Sequence, residues 1–159
     1  MFIHADNYTK TKNEIARHVG SMSKYGGDLR RTIEKEAIVT FTKPTRPRLV
    51  VTGEVATADE QYAYEELMDV YKEDMKAYVK RKATLEDNMG RAYEMVWGQC
   101  SNQMRAKVEA DPGYSAVRDA SDLLGLLRLI KLVSFDFHSQ KSRPLGLVEV
   151  EKAFKNFRH

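Results

Sequence analysis

The sequence predicts an all-α protein, and three observations predict it. Apolar residues recur at steps of three and four along most of the chain, the spacing that lines one face of a helix. The four prolines occupy only three places, Pro44 with Pro47, Pro112, and Pro144. One helix, Leu123 to Phe135, is apolar nearly all round, with only Arg128 and Lys131 giving it a wet edge, so it belongs inside a core or an interface. The expected architecture is a multi-helix domain with one long central helix or helical hairpin, and an extended proline-containing linker. Residues 1–36 read as an N-terminal helical segment, 37–56 as the linker and 57–159 as the main helical domain.

Residues 6–20 form the first expected helix, with Asp6 or Asn7 as cap, Ile15 and Val19 on the apolar face and Gly20 as the stop. Gly26-Gly27 marks a turn, and Asp28 is placed to cap a second helix running to about Lys35, with Leu29 and Ile33 inward. Ile38–Thr42 and Leu49–Thr52 favour extended backbone. Between them lies Lys43-Pro44-Thr45-Arg46-Pro47-Arg48, where each proline removes a donor and restricts its predecessor. A linker is expected there, with a two-stranded hairpin as the rarer alternative.

Thr57 and Glu60 have the spacing of a capping box, opening a helical pattern that runs to Gln99. Tyr64, Met68, Tyr71, Met75 and Tyr78 fall on one stripe at alternating steps of four and three, which resumes at Leu85, Met89, Ala92 and Val96. This is the heptad repeat that keeps a seam facing a partner helix. A single helix of that extent would be about 65 Å long at 1.5 Å per residue. Such a helix must bend, break or project, and a break, if there is one, is expected between Lys82 and Gly90, where Lys80-Arg81-Lys82 interrupts the seam. The stripe can meet a helix of its own chain or, as a coiled coil, another copy. Farther on, Ser101 caps a helix to about Ala110, Asp111-Pro112-Gly113 turns the chain, and Tyr114–Arg118 makes a short helical turn. Ser121 or Asp122 caps the apolar helix, and Pro144 opens a last helix to about Phe157. Leu123–Val133 and Tyr93–Val96, with Trp97, are the expected core.

The chain has 159 residues with a formal net charge of +3, but the charge alternates along it. Residues 1–53 carry ten bases and five acids, 54–95 six bases and eleven acids, and 96–159 ten bases and seven acids. Opposite fields of this kind can hold parts of one chain together or align neighbouring copies head to tail, although solvated helix faces are the simpler account. The longest apolar stretch, Leu123–Phe137, is interrupted by Arg128, Lys131 and Asp136 and is shorter than the roughly 20 residues that cross a bilayer. No signal peptide is evident. With a single cysteine, Cys100, the chain has neither a disulfide framework nor a cysteine-based zinc module. A cytoplasmic location, with the nucleus as alternative, is the expectation.

Little here points to catalysis. No phosphate-binding loop, zinc-protease helix, nucleophile elbow or dinucleotide fingerprint occurs. His4, His18, His138 and His159 lack ligand spacing, and none lies near Cys100 in sequence. Glu65, Glu66, Asp69, Glu73 and Asp74 are spaced as a solvated helix face rather than an acid–base pair. No catalytic, cofactor or metal residue is assigned, and no small-molecule substrate or membrane partner is expected. Lys80, Arg81 and Lys82, together with Lys43, Arg46 and Arg48 on the linker, are the candidate nucleic-acid contacts. The Tyr64–Tyr78 stripe is the candidate self-association surface.

Three stretches carry a family resemblance. They are Asn7 to Gly20 with Lys24-Tyr25-Gly26-Gly27-Asp28-Leu29-Arg30; Tyr93-Glu94-Met95-Val96-Trp97-Gly98-Gln99-Cys100-Ser101 with Met104 to Glu109; and Asp122 to Phe135. In order and spacing they resemble the opening of Gag-like polyproteins of copia-type LTR retrotransposons, and the Trp-Gly-Gln-Cys-Ser string is the most specific part. The resemblance implies a capsid-like, mostly helical segment that self-associates into particles packaging the RNA of the transposable element. It carries over no catalytic residue. In that family a longer capsid region follows, often with a zinc knuckle, whereas this chain stops at His159, so it reads as a truncated segment. The expected role is structural self-assembly, with an RNA- or DNA-binding accessory module, or a non-functional relic, as alternatives.

Overall fold

The computed structural model describes the backbone of residues 3–139 and the side chains of residues 8–135. Among these the protein is all helix and loop, with no strand. The helices are α1 (Ile3–Ser21), α2 (Gly26–Lys35), α3 (Ala58–Gln99), α4 (Asn102–Glu109), α5 (Tyr114–Asp119) and α6 (Leu123–Ser139). The helix expected after Pro144 lies outside the described residues. The linker contains no hairpin.

The chain divides into two compact units that differ from the division composition suggests. One comprises residues 1–39 and 85–159, and the other residues 40–84. The N-terminal helices therefore belong with the C-terminal ones rather than forming a segment of their own. α3 is one unbroken helix that supplies residues 85–99 to the first unit and 58–84 to the second. The break expected between Lys82 and Gly90 is absent. Lysine and arginine are good helix formers, and one interior glycine costs only about 1 kcal/mol, so Lys80-Arg81-Lys82 interrupts the apolar seam without interrupting the hydrogen-bond ladder.

In the first unit, α1 packs on α2, and α4, α5 and α6 pack on one another. Ile15, Ala16 and Val19 of α1, Leu29 and Ile33 of α2, Ala92 and Val96 of α3, and Val108 of α4 are buried. So are Leu123, Leu126, Leu127 and Ile130, as the all-round apolar pattern of α6 requires. Leu132 is exposed and Val133 and Trp97 only half-buried, so the core is narrower than expected at those three positions.

Helix ends follow side-chain chemistry at most points. The Met104 N–H donates to Ser101 Oγ at 3.2 Å, and the Gly125 N–H to Asp122 Oδ1 at 3.0 Å. Asp111 Oδ1 accepts from the Gly113 N–H at 2.8 Å, which shapes the Asp-Pro-Gly turn. Two expectations need correction. Asp28 is not a cap. α2 begins at Gly26 behind Tyr25, whose φ is 53°, and Asp28 is buried in the first turn with Arg31 Nη2 2.7 Å from its carboxylate. There it also faces the positive end of the helix dipole. Gly20 is the penultimate residue of α1 and has no positive φ; its missing side chain serves instead the crossing of α2, so close that a Cβ on Gly26 would fall on the Gly20 backbone.

A polar cluster closes the first unit where these helices meet. Lys12 of α1 is only 7% exposed. Its Nζ donates to the Glu34 carbonyl at 3.0 Å and to Glu36 Oε1 at 2.9 Å. Lys131 of α6 stands 4.0 Å from the same Glu36 oxygen and 5.1 Å from the Tyr8 ring centre. Tyr8 donates its hydroxyl to the Leu127 carbonyl at 3.2 Å. Burial pushes the Tyr8 phenol well above its ordinary range, and the Lys12 hydrogen bond holds the Glu36 carboxyl below its own.

Candidate functional site

The second unit consists of residues 58–84 of α3 and an extended strap, residues 40–57. The capping box forms as the spacing predicts. The Thr57 N–H donates to Glu60 Oε2 at 2.8 Å, and the Glu60 N–H to Thr57 Oγ1 at 3.2 Å. Glu60 Oε1 also accepts from the N–H and hydroxyl of Thr52, at 2.9 and 2.6 Å. These donors, the Thr52 hydroxyl first, hold the Glu60 carboxyl down to about 2.

At the other end, the Arg81 guanidinium lies 4.8 Å from the Phe41 ring centre, a cation–π distance. The two contacts fix the strap antiparallel to the helix. From Glu60 to Arg81 the helix rises about 32 Å at 1.5 Å per residue. An extended chain from Phe41 to Thr52 covers about 34 Å at 3.1 Å per residue. Phe41, Pro44 and Pro47 are half-buried while Thr42, Lys43, Thr45 and Arg46 are exposed, the three-residue period of a polyproline II helix with one face inward.

Tyr64, Met68, Tyr71, Met75 and Tyr78 are all half-buried, and the positions flanking each of them are exposed. They stand in one unit with the strap, which is anchored to α3 at Glu60 and at Arg81 on either side of the stripe. Tyrosine and methionine suit such half-buried positions, since each offers a long apolar body that an irregular chain can cover in part.

The basic triplet does not form one surface. Successive helix residues point 100° apart, so Lys80 and Lys82 are exposed on separated sides while Arg81 is engaged with Phe41. Lys43, Arg46 and Arg48 are exposed on the strap.

A second apolar line was not singled out from sequence, although the same spacing reveals it one position earlier. Ala63, Leu67, Val70 and Ala77 are exposed along α3, Leu67 at 55% and Val70 at 59%, with the exposed Asp74 interrupting the line between Val70 and Ala77. Val50, Val55, Tyr62 and Val79 are exposed in the same unit, Val55 at 80%. This combination of a half-covered seam and a bare apolar flank is the most conspicuous surface feature among the described residues. A single exposed leucine needs no explanation, whereas a group of this kind marks a contact surface.

Among its described residues the first unit exposes Met22, Tyr25, Ile38 and Leu132. Trp97 stacks on Tyr114 with ring centres 5.3 Å apart, and the Arg105 guanidinium covers Trp97 at 5.5 Å. Arg105 is held there by the Trp97 and Gly98 carbonyls at 3.2 and 2.9 Å. Burial, with the Tyr114 phenol second, pushes Tyr93 up to about 12. Cys100 is buried, and its thiol faces the Val96 carbonyl at 3.4 Å. Desolvation pushes that thiol up to about 11, with Arg105 opposing. A thiol so placed is a small apolar filler and a poor nucleophile. In the folded protein it should resist a thiol reagent such as DTNB and react stoichiometrically once unfolded in guanidinium. Rapid labelling under native conditions would contradict the burial.

Of the four histidines, only His18 has a described side chain. No cluster of three or more His, Cys, Asp or Glu side chains that could hold a metal occurs among the described residues. None of their helices is long and apolar enough to cross a membrane. Comparison with protein-family models, with curated proteins and with solved structures finds no match for this chain.

Proposed function

We propose that the protein is a non-enzymatic structural protein that acts by self-association, in keeping with its resemblance to the Gag-like segments of copia-type retrotransposons. The observation that carries this reading is the bare apolar flank of the helix-and-strap unit, Leu67 and Val70 above all. Burying such side chains contributes roughly 1.5–3 kcal/mol each, and their own chain leaves them to water. Assembly in the cytoplasm or nucleus follows from the same reading. Light-scattering mass over a wide dilution series tests it. The expected result is a mass above the 18.3 kDa monomer that falls on dilution. The Leu67→Glu/Val70→Glu variant should be monomeric with unchanged helix content. A wild-type monomer at every concentration overturns the reading.

Exposed Lys43, Arg46, Arg48, Lys80 and Lys82 favour a second reading, in which the unit meets the phosphates of an RNA. It requires a salt-dependent affinity that falls when Lys80 and Lys82 are changed to Gln.

A further inference from the structure

The helix-and-strap unit is electrically polar. The strap runs antiparallel to α3, so Lys43, two residues from the Phe41 anchor, lies beside the basic end of the helix, Lys76, Lys80, Arg81 and Lys82, while Arg46 and Arg48 stand nearer its middle. No acid occurs in residues 40–52 or 76–84. At the opposite end, residues 53–70 hold Glu54, Asp59, Glu60, Glu65, Glu66 and Asp69 and no lysine or arginine. Six acids thus stand in one half and five bases, Lys43 with Lys76, Lys80, Arg81 and Lys82, at the other end, while the exposed line Ala63, Leu67, Val70 and Ala77, interrupted by Asp74, runs between them. The pairs Asp69–Lys72 and Glu73–Lys76, at 2.8 and 2.7 Å, sit at the middle, where the sign changes.

We infer that this face docks a second copy of the same unit in antiparallel orientation, about a two-fold axis near Val70. The inference rests on the self-association reading and adds the partner surface and its direction. Parallel pairing would set six acids against six acids and five bases against five bases. Antiparallel pairing brings each acidic end onto a basic end twice over, the self-complementary arrangement a two-fold interface requires. It also brings Ala63 of one copy opposite Ala77 of the other, with the two Val70 side chains meeting at the axis. Small alanines at both flanking positions let the helices approach closely, and Leu67 and Val70 fill the centre.

Disulfide trapping tests the direction. Ala63→Cys and Ala77→Cys are made singly in a Cys100→Ala background, both at exposed positions that tolerate the change, and light scattering is run on each variant. The expected result is little cross-linking of either variant alone and efficient cross-linking when the two are mixed, because residues 63 and 77 are about 21 Å apart along one helix. The mixed cross-link should weaken with added salt, which screens the charged ends. Oligomers that cross-link Ala63→Cys to itself, or that cross-link at neither position, leave self-association standing and overturn this arrangement. Monomers throughout overturn both.

Discussion

Replacing Gly26 with alanine should destabilise the first unit by about 3 kcal/mol, the upper end of the usual cost of forcing an extra carbon into a packed site. The added Cβ would collide with the carbonyl and Cα of Gly20. Both obstacles are backbone, so no rotamer change relieves them, and α1 and α2 would have to move apart. Ile15, Val19, Leu29 and Ile33, all buried, would lose packing together. Gly27 supplies the control. A Cβ there meets nothing within 4 Å, so Gly27→Ala should be neutral or stabilising through helix propensity alone. Guanidinium unfolding followed by circular dichroism measures both. Equal effects at the two positions would mean that the helices do not cross where described.

The second large effect is expected at Lys12. Lys12→Met keeps the aliphatic bulk and removes the ammonium that bonds the Glu34 carbonyl and Glu36. Removing one partner of a fully buried pair costs about 3–5 kcal/mol. The Glu36 side chain is 27% exposed, and water can take over part of the solvation, so about 2 kcal/mol is the expectation. The loss should depend on pH in a defined direction. Glu36 has its carboxyl lowered first by the Lys12 hydrogen bond. Its contribution is therefore complete above the ordinary carboxylate value of 4.5 and disappears as pH falls through the lower folded value. The gap between wild type and Lys12→Met should be widest near neutrality and narrow in acid. A gap that stays constant down to pH 3 would place the effect of Lys12 in its hydrogen bond to the Glu34 carbonyl rather than in its pairing with Glu36.

What sequence reveals and hides here divides along physical lines. Local chemistry is legible. Thr57 with Glu60, Ser101 and Asp122 cap helices as their spacing predicts, because a cap needs only neighbours a few residues away. The burial of α6 is legible too, since a helix apolar nearly all round has no other stable place. Features set by a distant segment are not. Gly20 has the form of a helix stop, and only the crossing of α2 shows why a helix needs glycine there. Asp28 has the form of a cap, and the entry of α2 through Tyr25 displaces it into the first turn. The heptad stripe coincides with a half-buried face, but periodicity does not say what covers it. The proline spacing of three, with Phe41 three residues earlier, fits a strap, and its two anchor points become visible only in the fold. The basic triplet, counted along the chain, looks like a patch. Wound on a helix, it disperses around the axis.

The hydroxyl of Tyr8 reaches the Leu127 carbonyl across 119 residues of chain. During synthesis at about 5–20 residues per second, α1 therefore waits on the order of ten seconds for α6 to be made. Until residues 85–109 emerge, Ile15, Val19, Leu29 and Ile33 have only each other to shelter against, and the cover of α6 comes last. The nascent chain thus passes through a sticky stage on the ribosome, when holding chaperones would find it and crowding of neighbouring ribosomes on one message would favour premature clumping.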